Sequence, residues 1–119
     1  MVTFVLPFGV AAIQVLEYLD AHGRSAYADW FAELNPSAAA KVAAAVYRLE
    51  AGNFSNVKGV GQGVFERRID FGPGYRIYFG KDGDAVLILL GGSGKQRQPD
   101  AIAAAQERWS DYKRRRPKR

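Results

Sequence analysis

The strongest pattern in the chain is the alternation of apolar and polar residues between positions 64 and 90. Residues 64–70 alternate and are rich in strand-forming side chains, residues 75–79 repeat the pattern, and residues 85–90 form a nearly continuous apolar run. Glycine-rich or polar turns separate the three stretches. Short apolar stretches bounded by turn residues are typical of β-strands, and tight turns join antiparallel neighbours. The pattern therefore predicts an antiparallel meander of three strands.

Successive side chains of a strand point to opposite faces of the sheet, so the alternation also sorts the meander by face. In the middle strand Tyr75, Ile77 and Phe79 share one face, and Arg76 and Tyr78 share the other. We expect the first face to be core and the second to be solvated, with cations and a phenol on it. A half-solvated sheet carries charges on its wet side in any case, so the pattern alone also fits a face without function.

The sequence before the meander predicts one strand and two helices. Residues 13–19 have the composition of a strand, and Ser25 is a good N-cap for a short helix after it. Asn35 and Pro36 end that helix and start another, because Asn caps helices well and Pro is tolerated at the first helical position. The apolar stripes of the two helices consist of Tyr27, Trp30, Phe31 and Leu34, and of Val42, Val46 and Leu49. We expect this helical hairpin to pack on the apolar face of the sheet. A loop that contains Lys58 and the glycines 59, 61 and 63 is predicted between the hairpin and the meander.

The sequence after the meander predicts a loop and a last helix. Residues 91–98 contain three glycines, and Pro99 with Asp100 is a suitable helix start. The apolar side of this helix consists of Ile102, Ala105, Trp109 and Tyr112, and we interpret both tryptophans as core residues. These elements predict one α+β domain over residues 1–119, with an N-terminal extension at 1–12 and a basic tail at 113–119.

Composition narrows the class of protein. The chain has 119 residues, of which 48% are hydrophobic, and this is enough to enclose a core. It contains no cysteine, which excludes disulfides and cysteine-based zinc sites and fits a reducing, cytoplasmic setting. No apolar run approaches the roughly 20 residues of a membrane span. Residues 1–10 are apolar without the features of a signal peptide, and we expect an extra strand or a loose arm there.

The net charge of +5 is unevenly distributed along the chain. The tail from residue 113 carries +6, so the rest of the chain is −1, yet residues 58–97 carry +3. We expect the tail to be a mobile end, because terminal charge runs are seldom packed. The positive excess on the meander is therefore the more informative signal, and it favours a polyanionic partner.

The candidate chemistry depends on cations. His22 is the only histidine and falls in a predicted turn, which argues against histidine metal sites and catalytic triads. Residues 91–95 look like a phosphate loop but lack its G-x-x-x-x-G-K-[ST] spacing. The remaining candidates are Lys58, Arg68, Arg76, Tyr78, Lys81, Lys95 and Arg97. Arginine forks match phosphate oxygens, and a lysine crowded by cations loses its proton more easily, so such a surface can cleave RNA or only hold it.

Five motifs carry a family resemblance. They are GNFSNVK from Gly52, VGQGV from Val60, RID-GPGYRIYF from Arg68, LLGG from Leu89 and K-x-x-Q from Lys95. With them, residues 13–112 resemble the RelE/ParE superfamily of type II toxins and, within it, the phage-derived addiction-module killer-protein family related to HigB. The resemblance implies a RelE-like α+β fold in which a helical hairpin and a C-terminal helix surround an antiparallel sheet.

The resemblance also implies an activity and its residues. Toxins of this kind are metal-independent endoribonucleases without a cofactor that cut mRNA, commonly on the ribosome, by helping the ribose 2′-OH attack the adjacent phosphate. Arg76 corresponds to the family's phosphate-binding arginine, Arg68 to a basic residue on the preceding strand, and Lys95 to a basic residue near the scissile phosphate. We expect further RNA contacts from Lys58, Tyr78, Lys81, Arg97 and Gln98. The expected partners are mRNA, the ribosome and a cognate antitoxin, itself a helix-turn-helix DNA-binding protein.

The sequence departs from the family pattern at three places. Arg67 stands where an apolar side chain usually faces the core, and Ala101 takes the place of an aspartate, with Asp100 one position early. No tyrosine near the C terminus aligns with that of RelE, so the general acid and base stay unassigned. Two other functions stay open: a gyrase-inhibiting toxin like ParE, against which the cluster of basic residues argues, and an RNA-binding remnant without catalysis.

Overall fold

The computed structural model describes residues 4–5 and 11–117 of the chain. Within them, the strands are β1 Phe4–Val5, β2 Ala11–Ala12, β3 Gln14–Glu17, β4 Val57–Gly61, β5 Val64–Ile69, β6 Tyr75–Lys81 and β7 Val86–Gly94. The α-helices are α1 Ala26–Ala32, α2 Pro36–Glu50 and α3 Gln98–Arg115, and a 3-10 helix over Lys95–Arg97 precedes the last one. The α+β class predicted from the sequence is confirmed.

Both helices of the hairpin begin at the predicted caps. The Ser25 hydroxyl accepts a hydrogen bond from the backbone N–H three residues later at 3.0 Å, and the Asn35 side chain does the same at 2.9 Å. Pro36 occupies the first turn of α2, where its missing N–H costs nothing. None of the helices in the described part of the chain combines the length and apolar character needed to cross a membrane.

The main sheet is mixed, and the expectation of a wholly antiparallel sheet is wrong in one strand. Its order is β3-β7-β6-β5-β4, and β4 to β7 are antiparallel neighbours. Strand β3 runs parallel to β7, with Gln14 opposite Val86 and Glu17 opposite Leu89. A tight turn forces its two strands to be antiparallel, but β3 is separated from β7 by both hairpin helices and three strands. Because the connection is long, it permits either direction for β3, and tertiary packing determines which one is adopted.

Strand β4 lies where the sequence predicts a glycine-rich loop. Val57 pairs with Arg67, and the register shifts between Gly59 and Gly61. Gly61, with φ of 97°, then leads into the turn to β5. Glycines and a bulge interrupt the alternation that would identify this strand.

Strand β7 also extends beyond its prediction, through the glycines of residues 91–94. The register against β6 shifts between Tyr78 and Phe79, which places Gly91 opposite Tyr78 and Gly92 opposite Ile77. A Cβ added to Gly92 would overlap the indole of Trp30. These glycines serve the packing of a helix on the strand, and this explains why a loop was the wrong prediction.

Helices cover both faces of the main sheet. On the face packed against the hairpin, Ile77 and Phe79 are fully buried, as the alternation predicts. On the face packed against α3, Trp109 contacts a second core that contains Tyr78. The expectation that Tyr78 lies in water is wrong: it is 0% exposed, and its hydroxyl lies 3.0 Å from Ser93 Oγ. Burial raises the pKa of Tyr78. Helix α3 must bury its own apolar side, and it does so against the face of the sheet that contains Tyr78. The alternation of residues in the strand does not reveal this cover.

The basic C-terminal segment belongs to α3, so the expectation of a mobile tail is wrong through residue 116. Arg115 donates to the carboxylate of Asp111 at 2.8 Å. Arg116 donates at 2.9 Å to the buried carboxylate of Asp82, which also accepts the hydroxyl of Tyr112 at 2.6 Å. Asp111 belongs to α3 itself, and Asp82 belongs to the β6–β7 turn. These two carboxylates hold in place a segment whose composition predicts a mobile end. Residues 118–119 of the predicted tail lie outside the described residues.

The N-terminal extension, for which the sequence predicts an extra strand or a loose arm, contains the two short strands β1 and β2. Phe4 and Val5 pair antiparallel with Ala12 and Ala11 in a separate ladder of two strands. The rest of residues 1–10 lies outside the described residues.

Tyr27 makes the fold sensitive to alkaline pH. Burial, followed by the charge of Glu17, raises the pKa of this phenol from 10.0 to about 12. The folded state therefore holds the phenolic proton more tightly than the unfolded chain does. This contribution to stability is fully present below pH 10 and is lost as the pH rises towards 12. Two pKa units correspond to roughly 2 to 3 kcal/mol.

We expect Tyr27→Phe to lose less free energy of unfolding than the wild type between pH 10 and 12. Urea denaturation at several pH values in this range measures the difference. Tyr47→Phe is the matched control, because Tyr47 is 71% exposed and should leave the pH dependence unchanged. Parallel pH profiles for Tyr27→Phe and wild type would show that this buried phenol is not responsible.

Candidate phosphate-binding site

The three basic residues that the resemblance assigns to catalysis line one cavity of about 400 Å³. Arg68 on β5 and Arg76 on β6 are direct partners across the antiparallel pair, so their side chains share the face packed against α3. Lys95 joins them from the 3-10 helix after β7. We call this space the arginine cavity; its lining residues are Arg68, Asp70, Phe71, Gly72, Pro73, Gly74, Arg76 and Lys95.

The β5–β6 turn forms one wall of the arginine cavity. Gly74 donates its backbone N–H to the carbonyl of Phe71 at 3.0 Å, and Gly72 and Gly74 have φ of 55° and 92°. Left-handed backbone at both positions favours glycine, and these two residues add no side chain to the wall. A Cβ at Gly74 would lie 3.7 Å from Arg76 NH1, so even alanine would touch the guanidinium.

Arg76 is held by a buried carboxylate. Its side chain is 11% exposed, and its Nε lies 3.5 Å from Oε1 of Glu66, which is 2% exposed. Gln98, at the start of α3, donates its Nε2 to Oε2 of Glu66 at 2.8 Å. The carboxylate is thus fixed from both sides and sets the position of the guanidinium.

Arg76 retains unused hydrogen-bonding capacity. Its NH1 is buried without a hydrogen-bond partner among the described residues, and its Nε is paired with Glu66 by charge but makes no hydrogen bond among them. Buried donors without acceptors cost free energy, which an oxyanion brought to this guanidinium would relieve. Arginine also presents its donors in a fork that matches two phosphate oxygens.

Arg68 and Lys95 give the cavity its positive charge. Arg68 is half exposed and pairs with exposed Asp70 at 3.3 Å, a contact too solvated to hold it firmly. Lys95 is exposed. Like charges directly opposite each other on a sheet are destabilising, and Arg68 faces Arg76 in this way. The lining has a net charge of +2, and a bound anion would offset the repulsion.

Comparison with known proteins places the chain in a family without assigning an activity. No family model matches it. A protein of Haemophilus influenzae, described only as an uncharacterized protein, is 43% identical over 77 residues, covering 64% of this chain and 78% of that protein. The chain belongs to the same family as that protein. The function has to be argued from the site.

Two of the predicted RNA contacts serve the protein interior. Tyr78 is fully buried beneath α3 and cannot meet RNA on the sheet, which corrects the prediction. Gln98 is half-buried and uses its amide to hold Glu66, next to the arginine cavity. The hydrogen bond of Gln98 acts on the site through Glu66, the partner of Arg76.

The other three predicted contacts are dispersed. Lys58 is exposed on β4, opposite Glu66 and on the same face as Arg76. Lys81 lies at the far end of β6, with its ammonium 4.7 Å from the centroid of the Phe54 ring. Arg97 lines a different cavity. The structure places none of these three among the residues that line the arginine cavity.

Glu66 is the residue whose contribution the sequence did not reveal. Alternation places it on the face of Arg76, where an acidic residue is expected to be solvated. The available signal was the register of the hairpin, since Glu66 lies two positions from Arg68, the partner of Arg76. Diagonal neighbours of this kind are within reach of long side chains.

The unusual Arg67 has a structural explanation away from the site. It is 6% exposed, and its NH1 donates to the carbonyl of Ser55 at 2.7 Å, which fastens the loop before β4. Burial, followed by the charge of Arg48, lowers the pKa of Arg67. As a neighbour of Glu66 and Arg68 in β5, it points to the face opposite the arginine cavity.

Proposed function

We propose that this protein is the toxin of a type II toxin–antitoxin module and cleaves mRNA in the cytoplasm. The observation that supports this most is the convergence of Arg68, Arg76 and Lys95 on one cavity, with Arg76 fixed by buried Glu66. The resemblance to RelE/ParE toxins also supports the proposal, since its motifs include these three residues and extend beyond the cavity, from Gly52 to Gln98. A RelE-like form of the fold is part of the same proposal.

The proposed reaction is an internal phosphoryl transfer. The ribose 2′-oxygen forms a bond to the adjacent phosphorus, the bond from phosphorus to the 5′-oxygen breaks, and the products are a 2′,3′-cyclic phosphate and a 5′-hydroxyl. The pentacovalent phosphorus carries more negative charge than the substrate, and the forks of Arg68 and Arg76 stabilise that charge.

Few side chains in the arginine cavity can transfer the protons of this reaction. The 2′-hydroxyl must lose a proton, and the leaving 5′-oxygen must gain one. Arginine stays protonated in proteins, so within the lining of the arginine cavity only Lys95 and Asp70 can exchange protons. We assign Lys95 to the leaving oxygen, since an ammonium can donate there and neutralise the charge that develops, and Asp70 accepts the proton of the 2′-hydroxyl.

The expected partners follow from the charge of the site. A ribosome presents mRNA as a polyanion, and attraction to a cavity with a net charge of +2 increases the association rate. A cognate antitoxin must keep the host alive, and we propose that an acidic segment of it covers the arginine cavity.

The test is cleavage of a labelled mRNA by the purified protein, with and without ribosomes and in the presence of EDTA. We expect fragments that end in 2′,3′-cyclic phosphate, together with arrest of translation when the protein is expressed in cells. Inhibition of gyrase supercoiling with intact mRNA would favour the ParE-like alternative. Binding of mRNA without any cleavage would favour the remnant without catalysis.

A further inference from the structure

A second cavity, of about 620 Å³, lies at the end of β7 between α1 and α3. Its floor is the backbone of β7 at Gly92, Ser93 and Gly94, and α1 and α3 form its walls. Gly94 lines this space, and the next residue, Lys95, lines the arginine cavity. We call it the tryptophan cavity, because Trp30 of α1 lies along it.

The tryptophan cavity differs from the arginine cavity in charge. Arg97 and Arg108 line it together with two carboxylates, those of Glu33 and Asp100, so its charges balance. A balanced set offers both donors and acceptors and has no preference for an anion. It fits a neutral, polar ligand, whereas the lining of the arginine cavity, with a net charge of +2, fits a phosphate.

The lining of the tryptophan cavity combines an aromatic ring with a stretch of strand that is unpaired on one side. Trp30 packs so closely on Gly92 that a Cβ there would overlap its ring, yet the indole is only partly buried and lines the cavity. On the side of β7 opposite β6, the pairing with β3 ends at Leu89, so the next residues of β7 have no partner strand there among the described residues. Arg108 instead donates to the carbonyl of Leu90 at 3.0 Å.

We propose that the tryptophan cavity is a nucleobase subsite, which holds the base of the nucleotide whose phosphate lies in the arginine cavity. A base has a π-face for the indole and an edge of donors and acceptors for the charged side chains. This inference rests on the proposed function and adds a source of sequence preference to it. Glu33 and Asp100 accept hydrogen bonds from the base, and the arginines donate to it.

The test uses dinucleotides that cannot be cleaved. The 2′-O-methyl dinucleotides ApA, CpC, GpG and UpU, and inorganic phosphate, are titrated into the ¹⁵N-labelled full chain. We expect the dinucleotides to shift the indole N–H resonance of Trp30, and phosphate alone to leave it in place. We also expect one base to bind about tenfold more tightly than the weakest, the order of magnitude of matched hydrogen bonds to the edge of a base, because stacking alone hardly distinguishes the bases.

Matched variants of α3 locate the effect. Ala104 lines the tryptophan cavity and Ala103 beside it is exposed, so Ala104→Leu fills the space and Ala103→Leu does not. We expect Ala104→Leu to weaken dinucleotide binding about tenfold with phosphate affinity unchanged, and Ala103→Leu to match the wild type. If Ala104→Leu does not fold, Glu33→Gln at an exposed position tests the same site through a change in base preference.

The outcomes separate this inference from the proposed function. Base-dependent binding at Trp30 by a protein that cuts no RNA supports the subsite and removes the ribonuclease assignment. A second outcome would overturn the nucleobase subsite and leave the ribonuclease assignment intact. In that outcome the protein cleaves RNA, the dinucleotides do not shift the Trp30 resonance, and Ala104→Leu cuts at the same positions as the wild type. Equal affinity for all four dinucleotides likewise overturns the subsite.

Discussion

Arg76→Ala abolishes the growth inhibition expected of the wild-type protein and leaves it folded. The arginine supplies two forked donors to the charge that develops on phosphorus, and loss of one such group typically costs about 10² to 10³ in rate. Its side chain belongs to neither apolar core, but its removal leaves the buried carboxylate of Glu66 without a cation, so we also expect a lower melting temperature. Growth on induction, the rate of mRNA cleavage and the thermal melting curve are measured on the same preparation.

Three variants define what Arg76 contributes. Arg76→Lys keeps the charge without the fork and should retain only part of the activity. Glu66→Gln keeps an acceptor for Gln98 but no longer orients the guanidinium by charge, so we expect a lower cleavage rate that ammonium or guanidinium salts do not restore. Arg24→Ala removes an exposed arginine near the hairpin and should match the wild type. A folded Arg76→Ala protein that still cuts mRNA would remove the phosphate-binding assignment.

Gly92→Ala lowers the free energy of unfolding by about 1 to 3 kcal/mol, the usual range for overpacking a tight contact. The added Cβ would overlap the indole of Trp30, which lies directly on the strand. The ring also packs against the core on the hairpin side of the sheet, so its displacement disturbs that packing. The same arrangement occurs on the other face, where a Cβ at Gly80 would overlap Trp109. Urea denaturation followed by tryptophan fluorescence measures the loss.

Gly59→Ala is the matched control for Gly92→Ala. Gly59 also lies in a strand, its φ is not in the left-handed region, and an added Cβ there meets nothing within 4 Å. Alanine is a better strand residue than glycine at an unstrained position, so we expect Gly59→Ala to be neutral or slightly stabilising. Equal changes in the two variants would show that contact with Trp30 does not limit the substitution.

The site could be predicted in part because hairpin registers are local. A tight turn at Gly72-Pro73-Gly74 places Arg68 close to Arg76, and alternation puts both on one face. The approach of Lys95 depends on where β7 ends and α3 begins, which involves contacts far apart in the chain. The hold of Glu66 on Arg76 depends on Gln98, 32 residues away in sequence.

The sequence by itself determined the features that neighbours along the chain decide. Ser25 and Asn35 cap helices by accepting hydrogen bonds from N–H groups three residues away. The alternation of side chains along a strand places Ile77 and Tyr78 on opposite faces of the sheet, whatever packs on those faces. The tertiary structure decided which faces of the sheet are buried. Helix α3 covers the second face of the sheet, which buries Tyr78 and turns Glu66 from a solvated charge into the support of Arg76. The strand direction of β3 was decided in the same way, since burial of an apolar face depends on elements that meet only when the chain is folded.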